Sequence, residues 1–206
     1  KQVLEDLPKD NIFVSEEDLV VLFRIEIPMN LETGVGLIQV TDKIIDIWGM
    51  NTQEVYEKAL KNMQERDIIK IYTMDSVLNH ILSGTQEEEV SKETLEQVES
   101  PMLVVTNEKH INGAVGILDT DKLQEISEMV QDDLYILPSS IHECILIPKS
   151  ERDLQELREM VADINGKEVI PEERLSDNVY EYSAATKAIT IAGNNTREKG
   201  AVEHIR

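Results

Sequence analysis

An α+β fold is expected for this chain on three observations. Runs rich in β-branched residues come in pairs separated by turn-forming residues, which is the pattern of antiparallel hairpins. Helical periods follow those hairpins and do not alternate with single strands, which argues against a doubly wound parallel sheet. The strand-strand-helix unit also recurs: VGLIQVTDKIIDI (35–47) and VGILDTDKLQEI (115–126) share a VG start, an apolar pair, a TDK and a closing isoleucine. Strand, Thr/Asp cap and helix are the general grammar of such a junction, so duplication and coincidence both stay open.

Along the chain, LVVLFRIEIP (19–28) reads as a strand that pairs with GVGLIQVT (34–41). Thr41 and Asp42 offer cap oxygens for a short helix, KIIDIWG, which Gly49 ends, and Asn51 or Thr52 caps the longer QEVYEKALKNMQER. IIKIYT (68–73) is a strand, and DSVLNHILSG (75–84) a helix capped by Asp75 and ended by Gly84. PMLVVTN (101–107) and AVGILDT (114–120) are read as a second hairpin, followed by the helix DKLQEISEMVQ. DLYILP (133–138) and IHECILIP (141–148) are strands, ERDLQELREMVADIN is a helix opened by Ser150 with Asp153 at its capping-box position, and 178–183 with 188–192 form a last hairpin.

The expected organisation is a first α+β half over 1–84, an acidic mobile linker or loop over 85–100, a second α+β half over 101–192 sharing the core, and a disordered tail over 193–206. The linker holds six glutamates against one lysine and offers only Val90, Leu95 and Val98 for burial, too little apolar surface to offset the entropy of ordering it.

The 41 acidic against 20 basic residues give a net charge of −21. That field repels phosphate backbones and anionic headgroups, so neither nucleic acid nor a membrane is the expected partner, and a basic protein is. An acidic mimic of nucleic acid is the alternative that the same charge allows. The single cysteine, Cys144, excludes an intramolecular disulfide framework and fits a reducing compartment. No apolar run reaches the ~18 residues of a membrane span.

IWGMNTQEVYEKALKNM, PMLVVTNEKHINGAVGILDTDKLQEI, DLYILPSSIHECILIP and ERLSDNVYEYS together resemble an uncharacterised bacterial family, domain of unknown function 5688. The WG helix, the G-A strand and the D-x-Y-x-x-P-S passage are also distantly similar to the YtpQ-like proteins. The resemblance implies a cytoplasmic bacterial protein with further sequence before Lys1, and no activity.

The stretch LPSSIHECILIP is the one place where candidate catalytic residues concentrate: Ser139, Ser140, His142 and Cys144. A hydrolase built on these four is the alternative to a non-catalytic protein-binding domain. On a strand, His142 and Cys144 share one face at i and i+2, about 6–7 Å apart, too far for the direct contact a thiol and its base need. No G-x-S-x-G elbow is present, and a cysteine in such a strand is expected to be a small buried hydrophobe. His80 and His110 are expected to be structural or exposed. No HExxH, EF-hand loop or phosphate-binding glycine pattern occurs, so no metal or cofactor is expected, and the glycines of VGLIQVTD and NGAVGILD are read as permitting close backbone approach.

Overall fold

The run Leu19–Pro28, expected as one strand, is broken at Phe23. In the computed structural model, which describes residues 8–28, 35–98 and 100–194, β1 (Phe13–Glu16) pairs antiparallel with β2 (Leu19–Leu22). β3 (Arg24–Pro28) pairs instead with β4 (Val35–Gln39). Phe23 between them turns into the core, its carbonyl accepting from Val40 N (2.9 Å) and Gln39 Nε2 (2.9 Å). α1 (Asp42–Trp48) ends at Gly49, whose φ of 65° is a left-handed cap, and α2 (Thr52–Glu65) opens on a reciprocal box, Glu54 N to Asn51 Oδ1 and Asn51 N to Glu54 Oε2. Ile12, Val14, Phe23, Val40, Ile45 and Val55 form the core of this first unit, which ends at Glu65. Tyr56 packs edge-on against Phe23 and donates to Glu16 Oε1 (2.9 Å); burial, then the Glu16 charge, raises its pKa.

The second unit, from Arg66, is built on a six-stranded antiparallel sheet with order β10-β9-β7-β8-β6-β5. Its strands are β5 (Ile69–Thr73), β6 (Leu103–Asn107), β7 (Leu134–Ser140), β8 (Glu143–Pro148), β9 (Tyr180–Ser183) and β10 (Ala188–Ile191). The alternation of strand side chains divides its core in two. On one face Tyr135, Leu137 and Ile147 pack on Leu157 and Val161 of α6 (Leu154–Lys167), while Tyr72 and Val104 pack on Met74 and Val77 of α3 (Met74–Ser83). The other carries Leu103, Val105, Leu134, Ile136, Cys144 and Leu146, all buried to 0% exposure. α5 (Thr120–Val130) contributes the buried Leu123 and Ile126, and its Gln124 accepts from the Tyr182 hydroxyl (2.8 Å).

Three local expectations are corrected. Residues 113–118 are a 3-10 helix, not the second strand of a hairpin. The reason is proximity: a Cβ on Gly116 would lie 2.7 Å from Val105 Cγ2 and 2.8 Å from Ile69 Cγ2, so bare backbone here packs flat against β5 and β6. The recurring VG-to-TDK segment is therefore a strand in the first unit and a 3-10 helix in the second. α3 is capped by Thr73, whose hydroxyl accepts from Ser76 N, and not by Asp75; Asp153, not Ser150, caps α6 and accepts from Gln155 N and Glu156 N.

The acidic segment 85–98 lies within the second unit, along the outer edge of β5. Val90 N donates to Ile71 O (2.8 Å), and Glu89 bridges to Tyr72. Glu89 also pairs with Lys70 (3.2 Å) and Lys122 (3.5 Å), and a short α4 (Lys92–Leu95), opened by a Ser91/Thr94 capping box, buries Leu95. This covers strand hydrogen-bonding groups that would otherwise be open to pairing with another chain. Asp67 joins the same network through Lys70 (2.6 Å) and Lys122 (2.8 Å), and those two bonds hold its carboxyl below the usual range. The tail expected to be disordered lies, from residue 195, outside the described residues.

The five-residue register of β5 on β6 predicts that the pieces of a chain nicked between Glu87 and Glu99 stay together, because the buried Ile69 and Ile71 hold the first piece in the sheet of the second. Coelution on a sizing column without denaturant is the expected result; separation would mean that the pairing does not carry the contact.

Candidate functional site

The four candidate residues converge on one end of the sheet, where β7 turns into β8. The register slips between Pro138 and Ser140, leaving Ser139 as the extra residue of a bulge, and Ile141 and His142 form the turn. The turn is fastened from several directions. Ile141 N donates to Glu173 O (2.8 Å), and Ala114 N to Ile141 O (3.2 Å). Thr106 Oγ1 donates to His142 O (2.9 Å), and His142 N to Ser140 Oγ (3.0 Å). Asn112 N donates to His142 Nδ1 (3.2 Å), so that nitrogen carries no proton, and Nε2 faces Glu173 Oε1 at 3.4 Å. Ser140 therefore meets the backbone N–H of His142, not its ring, and the unprotonated ring nitrogen already accepts a hydrogen bond from the Asn112 backbone N–H.

Cys144 sits opposite Pro138 and Val105, fully buried. Burial, with a smaller contribution from Glu143, pushes its thiol up to about 12, which keeps it protonated at neutral pH.

A second histidine lies on the adjoining loop. His110 stacks on Tyr72, with ring centroids 6.0 Å apart, and its Nε2 meets Glu87 Oε2 at 2.7 Å. The Glu87 side chain is only 10% exposed, and its other oxygen, Oε1, is buried without a hydrogen-bond partner. His110 and Asn112 both adopt left-handed backbone, at φ 51° and 55°. Gly113 follows them where no side chain fits: a Cβ there would stand 2.4 Å from Thr106 Oγ1 and 2.7 Å from His142 O. Sequence reasoning missed the Glu87–His110 pair, because 23 residues and a helix separate its members and no local spacing marks it.

What this arrangement can do chemically is bounded by those bonds. Its imidazoles are held against Glu87 and Glu173, while its thiol is sealed in the sheet. Among the described residues no group of three or more His, Cys, Asp or Glu side chains could hold a metal ion. Two open depressions, of about 420 and 260 Å³, lie elsewhere. The first is lined by Ser127, Glu128, Gln131, Asp132, Asp133 and Ala184, but Asp132 accepts from Ser150 N and Asp133 from Ala184 N.

Two outcomes are expected. A thiol reagent labels Cys144 slowly in the native chain and fast in urea. Because the folded-state pKa is raised, the associated stability is complete below the unfolded thiol pKa of about 8.5 and falls by up to ~1.4 kcal/mol per pH unit as pH rises towards the folded value. Cys144→Ala should lose that part of the slope, and an unchanged slope would contradict the burial. His110→Ala strands the Glu87 carboxylate and should cost about 1–3 kcal/mol in urea unfolding, part of it regained by adding Glu87→Leu; no recovery would contradict the pairing.

No curated protein and no solved structure matches the chain. One family model does, over residues 1–184, and it covers every element of the sheet end described above as far as Ala184; the chain belongs to the family of unknown function DUF5688.

Proposed function

We propose that this chain is a non-catalytic binding domain for a basic protein partner, acting in the bacterial cytoplasm. The observation that carries the reading is the disposition of charge. Against a net charge of −21, Lys61, Lys70, Lys122, Lys149 and Lys167 each pair with a carboxylate of the same chain. Each of those cations already has a carboxylate partner, Lys61 and Lys167 on the exposed surface, and most of the remaining carboxylates of the described residues are exposed. A field of that sign concentrates basic partners and raises their association rate.

The candidate nucleophiles lend the hydrolase alternative no comparable support, since Ser140 Oγ and His142 Nδ1 each accept from a backbone N–H and Cys144 is sealed. The test is capture from a host extract at two ionic strengths. Basic proteins should be retained at about 50 mM salt and released at about 500 mM, where the screening length falls to a few ångströms. Failure to retain any basic protein at low salt would contradict the reading. Release by duplex DNA of retained nucleic-acid-binding proteins would favour the acidic mimic instead.

A further inference from the structure

The segment that covers the outer edge of β5 is fixed at both ends and scarcely buried between them. It runs from Thr85 to Val90, after Gly84 has ended α3 in left-handed backbone (φ 67°) and before the Ser91/Thr94 box opens α4. Thr85, Gln86, Glu88 and Glu89 are exposed. Its backbone meets β5 through the Val90 N to Ile71 O bond and the bridge between Glu89 and Tyr72. Beneath it, β5 is paired with β6 from Ile69 to Thr73, and Ile69, Ile71, Leu103 and Val105 are buried. Backbone with few buried apolar neighbours opens at low free energy, whereas the interior of a sheet opens only with the whole unit.

Side chains supply most of the remaining hold. Glu88 N donates to Ser76 Oγ (3.2 Å), and His80 Nδ1 meets Thr85 O (2.7 Å), both at exposed positions. Glu89 lies between Lys70 and Lys122, but its side chain is 42% exposed, and pairs so placed are screened by water and salt. Glu87 differs from these. It is the one glutamate of the segment turned inward, with Oε2 on His110 Nε2 and Oε1 buried without a partner. A buried carboxylate oxygen with no donor is unfavourable, and its hydration is recovered as soon as the segment lifts. The same side chain therefore fastens the segment and favours its release.

We infer that residues 85–90 form a strap that lifts from β5 while the six-stranded sheet stays folded, hinged at Gly84 and Ser91 and latched by the Glu87–His110 contact. The two ends stay in place as it moves: α3 is held by Met74 and Val77 against Tyr72 and Val104, and α4 by the buried Leu95. Closed, the strap occupies the Ile71 carbonyl; lifted, it leaves the edge of β5 bare, and a bare edge is open to strand pairing. The device does not depend on which partner the chain binds.

The test is amide hydrogen exchange of the full chain, read residue by residue in urea concentrations below the unfolding transition. The Val90 amide, bonded to Ile71 O, reports the strap, and the amides of Val104 and Val105, in β6 between β5 and β8, report the sheet. Relative to its unstructured rate, Val90 should exchange about a hundredfold or more faster than Val104 and Val105. Its rate should hardly respond to urea, since lifting exposes little surface, while theirs should rise steeply. His110→Ala removes the donor to Glu87 and should speed Val90 exchange about tenfold or more, still without a urea response. Adding Glu87→Leu, which leaves no carboxylate stranded, should bring the rate part of the way back. Exchange of Val90 at the rate and with the urea response of Val104 and Val105 would show that the segment opens only with the sheet and would overturn the strap. A Val90 rate unchanged by His110→Ala, or no recovery in the double variant, would overturn the latch. The native-chain comparison needs no variant, so the strap stays testable even if His110→Ala does not fold.

Discussion

The close approach of backbone at Gly113 is the constraint on which this end of the molecule depends. With no side chain at that position, the 3-10 helix can lie against Thr106 and the carbonyl of His142. Ala114 can then donate to Ile141 O, and Asn112 to His142 Nδ1. The loop just before it carries His110 onto Tyr72 and Glu87, which ties the acidic segment to the sheet beside its edge strand. One bare position thus fastens the β7–β8 turn, the 107–113 loop and the covering of β5 together. Any side chain there would push these apart, and the strained φ angles of His110 and Asn112 are kept because so many contacts over-determine them.

Of the residues that look most chemical in the sequence, Ser140 and His142 are engaged in that fastening and Cys144 is buried in the sheet. Mutual repulsion of acidic copies opposes self-association, while a partner of opposite sign gains both Coulomb attraction and burial of apolar area. In the proposed complex charge sets the sign and rate of encounter.

Much of this was legible in the sequence where the signal is local. Gly49 and Gly84 end α1 and α3 in left-handed backbone, as glycines after a helical period should. The strand character of 143–148 and the burial of Cys144 follow from alternation. What escaped depends on distant partners. Phe23 looks like the middle of a strand until the core on one side and two different hairpins on the other claim its neighbours. AVGIL has strand composition, yet Gly116 places it on top of the sheet because Val105 and Ile69 leave no room for anything larger. Thr73 displaces Asp75 as a cap because the helix begins directly where β5 ends.

The most direct measurement is urea unfolding of Gly113→Ala beside Gly166→Ala, a helical glycine where an added Cβ meets nothing within 4 Å. The account predicts a clear loss of stability for Gly113→Ala and none for Gly166→Ala; equal stability of the two variants would contradict it.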